Sequence, residues 1–212
     1  MVKIIPALNV KSKDEFYEKI NLLYPRVKHF HFDLAKEDFC SYNTWQDIDK
    51  IDFNFKISFD IHLMTYLLPI EVFRWDKSYI KRIFVHQDSS NLDAVIKVVK
   101  KIKKKIYIAL RPDENVLDFK KYVNFIDGFL ILGVDPGPSG QILKNSALQN
   151  LNILKKEFKN VKFGFDGGVR KDNIKEILKF NPEFIVIGSS IFNEKDPLKA
   201  YLEFSNLSKN LI

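Results

Sequence analysis

Eight short apolar runs, most of them separated by stretches with helical spacing, limit this chain's fold more than any other feature. They fall near residues 2–8, 28–33, 56–62, 82–86, 105–110, 128–134, 161–166 and 184–188. An apolar run of this length, bounded by turn signals, reads as a buried strand. Between the runs, three sets recur at helical intervals: Phe16, Ile20 and Leu23; Leu92, Val95, Ile96 and Val99; Ile174, Ile177 and Leu178. Helix starts are signalled by Ser12, by Asp172 ahead of Asn173, and by Asp196-Pro197. Strands alternating with helices imply parallel βαβ units, and eight such units close a barrel. The expected fold is therefore α/β, a (β/α)8 TIM barrel formed by residues 1–212 as one domain. A doubly wound open sheet is the structural alternative. Residues 34–55 interrupt the alternation and read as a long loop with a short helix.

Four polar residues stand where apolar runs stop: His31 and Asp33 in KHFHFDL, His62 in ISFDIHLM and Asp166 in VKFGFDGG. His31 and Asp33 are two apart, so one strand points both to the same side. In a barrel, the C-terminal strand ends converge on one mouth, where barrel enzymes carry out their chemistry. Two imidazoles and two carboxylates form a mixed nitrogen and oxygen set that suits a divalent transition metal.

Glycine-rich turns follow the last three runs: VDPGPSGQ at 134–141, DGGVR at 166–170 and IGSSIF at 187–192. Glycine lets backbone amides approach an anion closely, and late barrel loops often build a phosphate site. Gly137, Ser139 and Gly140, then Gly167 and Gly168, then Gly188 and Ser189, are the expected phosphate-binding residues.

The order HFD, DIHLM, VDPGPSGQ, FDGG and GSSIF resembles the ribulose-phosphate 3-epimerase family, and the similarity runs from IIPAL to the last strand and helix. The resemblance implies a metal-dependent barrel of the ribulose-phosphate-binding type. It implies one divalent ion (zinc, iron, manganese or cobalt) held by His31, Asp33, His62 and Asp166, with Asp33 and Asp166 as the acid/base pair. The implied reaction inverts C3 of a phosphorylated ketose through an enediolate, D-ribulose 5-phosphate to D-xylulose 5-phosphate or a close relative.

Several positions depart from the family pattern. The family's Met-Asp-Gly after the HxD element is Ala35-Lys36-Glu37, its serine after proline is Ala7, and a strand-six methionine is Leu132. Met64 is the methionine that remains, and Pro138-Ser139 replaces Phe-Gly. Ala7, Met64 and Leu132 are expected to line the pocket. Two other readings stay open: a non-catalytic phosphosugar-binding barrel, or a decarboxylase or aldolase of a related phosphate-binding barrel. The latter expects an Asp-x-Lys-x-x-Asp pattern, whereas Asp60 is followed by Ile61 and His62.

Further residues receive modest expectations. His86 ends the fourth run and is expected in a structural or supporting role. Asp60 shares the parity of His62 and could orient it, or be an ordinary polar contact inside the barrel. His29 is expected on the strand side opposite the site. Trp45 and Trp75 are expected in packing, and Cys40 as a small buried or half-buried side chain.

The net charge of +7 raises the question of nucleic acid, but the lysines are dispersed. The densest run, VVKKIKKKIYIAL, reads as the solvated end of a helix leading into a strand. No nucleic-acid partner is expected. No window approaches the roughly 18 apolar residues of a membrane span, and the first residues open into a strand rather than a signal peptide. With a single cysteine, no internal disulfide can form, and the cytoplasm is the expected compartment. The 19 Phe and 8 Tyr must mostly fill the core, and some could serve a homo-oligomer interface.

Overall fold

The computed structural model describes residues 1–51, 56–88 and 91–209. Eight strands run β1 (Lys3–Leu8), β2 (His29–Ala35), β3 (Ser58–Met64), β4 (Ile80–Val85), β5 (Lys105–Leu110), β6 (Gly128–Leu132), β7 (Phe163–Asp166) and β8 (Phe184–Ile187). Each pairs in parallel with the next, and β8 returns to pair with β1, closing the barrel. The expected (β/α)8 TIM barrel is the observed fold, and the open sheet is not.

The helices form where the sequence supplies both a cap and an apolar face. Helix α1 (Lys13–Leu23) starts at Ser12, whose side chain accepts from the Glu15 amide, and buries Phe16, Ile20 and Leu23. Such a cap stabilises a helix by about 1 kcal/mol. The segment after β2 holds only the short α2 (Glu37–Cys40) and a 3-10 turn, Ile48–Lys50, as expected, with residues 52–55 outside the described residues. Helix α3 (Leu92–Lys101) buries Leu92, Val95, Ile96 and Val99 and is capped by Asn91. The remaining helices are α4 (Asn145–Glu157), α5 (Ile174–Leu178), α6 (Ser189–Phe192) and α7 (Pro197–Leu207). Asp196 caps α7 through the Lys199 amide. At α5 the expected start is one residue early, because Asn173 holds the cap position and its side chain ties back to the Arg170 amide.

Two crossovers are 3-10 helices instead of α-helices: Pro69–Trp75 after β3 and Val116–Tyr122 after β5. Their buried residues explain this. Val72 and Trp75, and Val116, Phe119 and Tyr122, recur every three residues. A 3-10 helix has three residues per turn and puts that spacing on one face.

Strand alternation sends every second side chain into the barrel. The central layer includes Ile5, Phe84, Tyr107, Leu130 and Phe184. Gly164 makes room for it, since a Cβ there would lie 2.2 Å from the Phe184 ring. Below this layer, at the N-terminal end, Asp60 accepts from Arg82 at 2.6 Å and contacts His29 Nε2 at 2.9 Å. The Arg82 guanidinium sits 3.8 Å from the Phe184 ring centroid. Asp60 is thus a barrel-interior contact and does not orient His62. His29 departs from expectation too. It shares the inward face of His31 and Asp33, and only its height differs, because the strand begins one turn of alternation below His31. Trp75 is buried and Trp45 packs against the core, as expected.

Candidate active site

Above the central layer, β2, β3 and β7 deliver His31, Asp33, His62 and Asp166 to one point. One ligand-capable atom from each lies within 4.8 Å of the others. His62 Nδ1 is 3.1 Å from Asp33 Oδ1 and 3.8 Å from Asp166 Oδ2. His31 Nε2 is 3.4 Å from Asp33 Oδ1 and 3.8 Å from Asp166 Oδ2. The register explains the convergence: Asp33 pairs with His62 across β2 and β3, and Asp166 pairs with Leu132 and Val186 on the far wall.

Burial separates the two carboxylates electrostatically. It opposes ionisation of Asp33, but the His31 imidazole 3.4 Å away and the His62 Nδ1 contact at 3.1 Å outweigh it and hold this carboxyl far below the usual range. Asp166 is pushed up to about 7 by burial and by the neighbouring Asp33 charge. Burial disfavours the charged form of His31, yet Asp33, Asp166 and Asp60 outweigh it and raise its pKa. Burial, with His31 nearby, lowers that of His62.

This donor set fits a divalent ion. Both ring nitrogens of His31 are buried without a hydrogen-bond partner. Such orphaned groups are rare and costly unless something ligates them. Two imidazole nitrogens and two carboxylates supply four donors of the type that transition ions take.

A hollow of about 70 Å³ opens from the cluster toward the glycine turns. Ala7, Met64 and Leu132 line its apolar side, as expected. The turn after β6 contributes Gly137, Ser139 and Gly140, and the turn after β7 contributes Gly167 and Gly168. Gly188 and Ser189, at the start of α6, complete that wall. Gly168 needs its glycine: φ is +68° and a Cβ would lie 2.7 Å from the Leu143 amide nitrogen.

Three contributors carried weak signals or none in the sequence. His86 Nε2 lies 3.0 Å from His62 Nε2 on the side away from the carboxylates. Asn9 donates to the Gly137 carbonyl at 3.1 Å and accepts from the Tyr42 hydroxyl at 2.9 Å, tying the β1 end to the glycine turn. Its position two residues past Ala7 was the one available clue. Arg111, at the end of β5, pairs with Asp88 at 2.8 Å and lies 4.8 Å from the Phe39 ring.

Comparison with known proteins identifies the family. Residues 4–192 match the model of the ribulose-phosphate 3 epimerase family. The ribulose-phosphate 3-epimerase of Buchnera aphidicola subsp. Baizongia pistaciae is 31% identical over 157 residues, 72% of this chain and 69% of that protein. The enzyme of the same name from Mycoplasma genitalium is 29% identical over 194 residues, 88% of each chain. Among solved structures, a 3-hexulose-6-phosphate synthase superposes with a TM-score of 0.71 at 16% identity, covering 97% of this chain and 99% of the other, a likeness of fold alone.

Proposed function

The chain belongs to the ribulose-phosphate 3-epimerase family, and from that premise we propose that it inverts C3 of a phosphorylated ketose, D-ribulose 5-phosphate or a close relative, with Asp33 and Asp166 moving the protons. Membership carries an epimerase activity on a phosphosugar. The particular ketose and the residue roles are our reading. The observation that supports it most is the buried His31, Asp33, His62 and Asp166 cluster facing a glycine-lined wall.

The C3 hydrogen of a 2-ketose is weakly acidic because its carbon adjoins a carbonyl. A divalent ion held by His31, Asp33, His62 and Asp166 would supply Lewis-acid polarisation of the substrate oxygens at C2 and C3. Asp33, held ionised by the two imidazoles, takes the C3 proton from one face and leaves an enediolate. Asp166 delivers a proton to the opposite face. In the reverse direction the two exchange roles. The glycine turns anchor the phosphate, so binding energy remote from C3 orients the reacting carbon. His31 and His62 hold the ion and take no part in moving the C3 proton.

The altered Ala7 and Leu132 leave this scheme intact while changing the wall over the reacting carbons, which keeps a close relative of ribulose 5-phosphate in view. The hollow beside the cluster does not favour a decarboxylase or aldolase with a catalytic lysine, since among the described residues no lysine lines it. We place the protein in the cytoplasm, in keeping with its free Cys40, and no helix among the described residues is long and apolar enough to cross a membrane. Exposed Leu68, Ile70 and Phe73 on one segment favour a second copy of the chain as a partner, which a measured mass in solution tests.

The deciding experiment incubates the metal-loaded protein with ketose phosphates in deuterated water and follows the C3 proton by NMR. Inversion at C3 that disappears in Asp33→Asn and in Asp166→Asn is expected, with any remaining exchange confined to the face of the aspartate that is left. Inversion retained in both variants would remove the two-aspartate scheme, and sugar-phosphate binding by the parent protein without any exchange would leave a binding module.

A further inference from the structure

Lysines that look dispersed along the chain are gathered by the fold. At the N-terminal end of the barrel, opposite the mouth, Lys3, Lys81, Arg82, Lys103, Lys104 and Lys105 line a hollow of about 560 Å³. Small-molecule pockets commonly span about 300–1,000 Å³. Among the described residues, Glu183 is the one carboxylate on its wall.

The few compensating charges are already engaged. Glu183 accepts from the Tyr107 hydroxyl at 2.9 Å and lies 3.9 Å from Arg82. Asp60, beneath the floor, holds Arg82 and His29. Lys104 donates to the Lys77 carbonyl and lies 4.0 Å from Asp76. Lys81 donates to the Ser78 carbonyl. For Lys3, Lys103 and Lys105, no carboxylate within 4.0 Å is found among the described residues. Alternation along β1 and β5 puts Lys3 and Lys105 on the same faces as the interior residues Ile5 and Tyr107, so both lean over the hollow. Lys103 sits in a left-handed turn with φ +57°, a conformation that non-glycine residues seldom adopt.

A water-exposed concavity lined with one sign of charge concentrates counter-ions. The cations come from three separate walls, β1, β4 and the turn into β5, across a space larger than one phosphate fills. The layer of Phe84, Tyr107 and Phe184 divides this hollow from the mouth, so one ligand cannot span both regions. We propose that the hollow is a second anion site, taking a small molecule with two or more linked phosphates.

The test titrates pyrophosphate and ATP into the metal-loaded protein by calorimetry in physiological salt, with epimerase kinetics followed in parallel. In Lys3→Glu/Lys105→Glu, and independently in Lys81→Glu/Lys103→Glu, affinity for both probes is expected to fall about tenfold or more while kcat and KM stay unchanged. Lys175→Glu/Lys179→Glu, exposed on α5 and at its C-terminal cap and outside the hollow, carries the same charge change and is expected to bind as the parent does. Unaltered affinity in both hollow variants overturns the proposal, as does absence of binding at millimolar probe. Pyrophosphate that competes with the sugar phosphate at its own binding constant places it in the mouth and also overturns it. An oligonucleotide that binds far more tightly than ATP and with a steeper salt dependence would make the face a nucleic-acid surface instead.

Discussion

His86 stands with its Nε2 3.0 Å from Nε2 of His62, so the nitrogen of His62 turned away from Asp33 is held by a second imidazole. The rings are 27° from coplanar. Burial, with His62 and Arg111 nearby, holds the pKa of His86 well below its usual value, so it remains a neutral partner. Partners of this kind fix the tautomer and orientation of a ligating histidine.

Replacing His86 by phenylalanine therefore weakens metal binding about 10- to 100-fold. His86→Gln keeps a hydrogen-bonding end and retains most of the affinity. Competition against a chelator of known strength measures both. Equal affinity in His86→Phe and the parent protein would deny His86 this role.

Metal affinity rises with pH. The ligands must be deprotonated to bind, whereas Asp166 holds its proton up to about 7 and His31 is shifted upward. Below pH 7, affinity is expected to increase about tenfold or more per pH unit and to flatten above it. The sign for folding is opposite. A carboxyl whose folded pKa is raised favours the metal-free fold below its unfolded value near 4, and that contribution disappears as pH climbs through about 7. Calorimetry in buffers of different ionisation enthalpy counts the released protons. A flat profile from pH 5 to 7 would contradict the assignment.

Asp60→Asn strands the buried Arg82 with Glu183 alone at 3.9 Å. Breaking a buried ion pair costs about 3–5 kcal/mol, which lowers Tm by roughly 6–20 °C in a chain this size. Burial opposes ionisation of Asp60, but His29 and Arg82 outweigh it and lower its pKa. Its contribution is thus complete above the unfolded value near 4 and is lost as pH falls below it. Thermal melts at pH 7 and pH 3 test this: the gap between parent and variant is expected to narrow in acid.

Two glycines of the wall proposed to hold the phosphate separate folding from binding. Gly168→Ala meets the Leu143 backbone at 2.7 Å in a left-handed conformation and is expected to cost about 1–3 kcal/mol of stability. In Gly188→Ala the new methyl finds Ala7 Cβ at 3.5 Å and Ser139 Oγ at 3.8 Å, which is ordinary contact. That variant is expected to fold normally and to bind the phosphate less well. Losing one charge-assisted hydrogen bond costs about 1.5–3 kcal/mol, or roughly 10- to 100-fold in KM. Denaturant titration and steady-state kinetics distinguish the two.

The strands were legible because each carries a contiguous apolar run, and a parallel barrel buries both faces of every strand. The metal-competent cluster was legible because His31, Asp33, His62 and Asp166 sit at equivalent heights on those strands. The two 3-10 crossovers were less so, since a three-residue period in seven residues is too short to stand apart from a helical one. His29 was misjudged for a related reason: alternation fixes the face but not how far down the barrel a side chain lies. His86 and Asn9 owe their positions to contacts with β3 and with the turn after β6, which spacing within one strand does not encode. The basic hollow escaped because its lysines come from three distant stretches of chain.

The aromatic layer across the barrel keeps water from passing between the two ends, but it does not keep out an electric field. Asp60 lies directly across the strand register from His31, and its charge contributes to raising the pKa of that histidine. A medium of low polarisability screens weakly, so a charge at the closed end is felt at the open one. The Arg82 guanidinium, bonded to Asp60, offsets part of that influence. The packed centre of this barrel therefore works as a dielectric spacer, and the ion pair beneath it is a fixed bias on the basicity of His31 above.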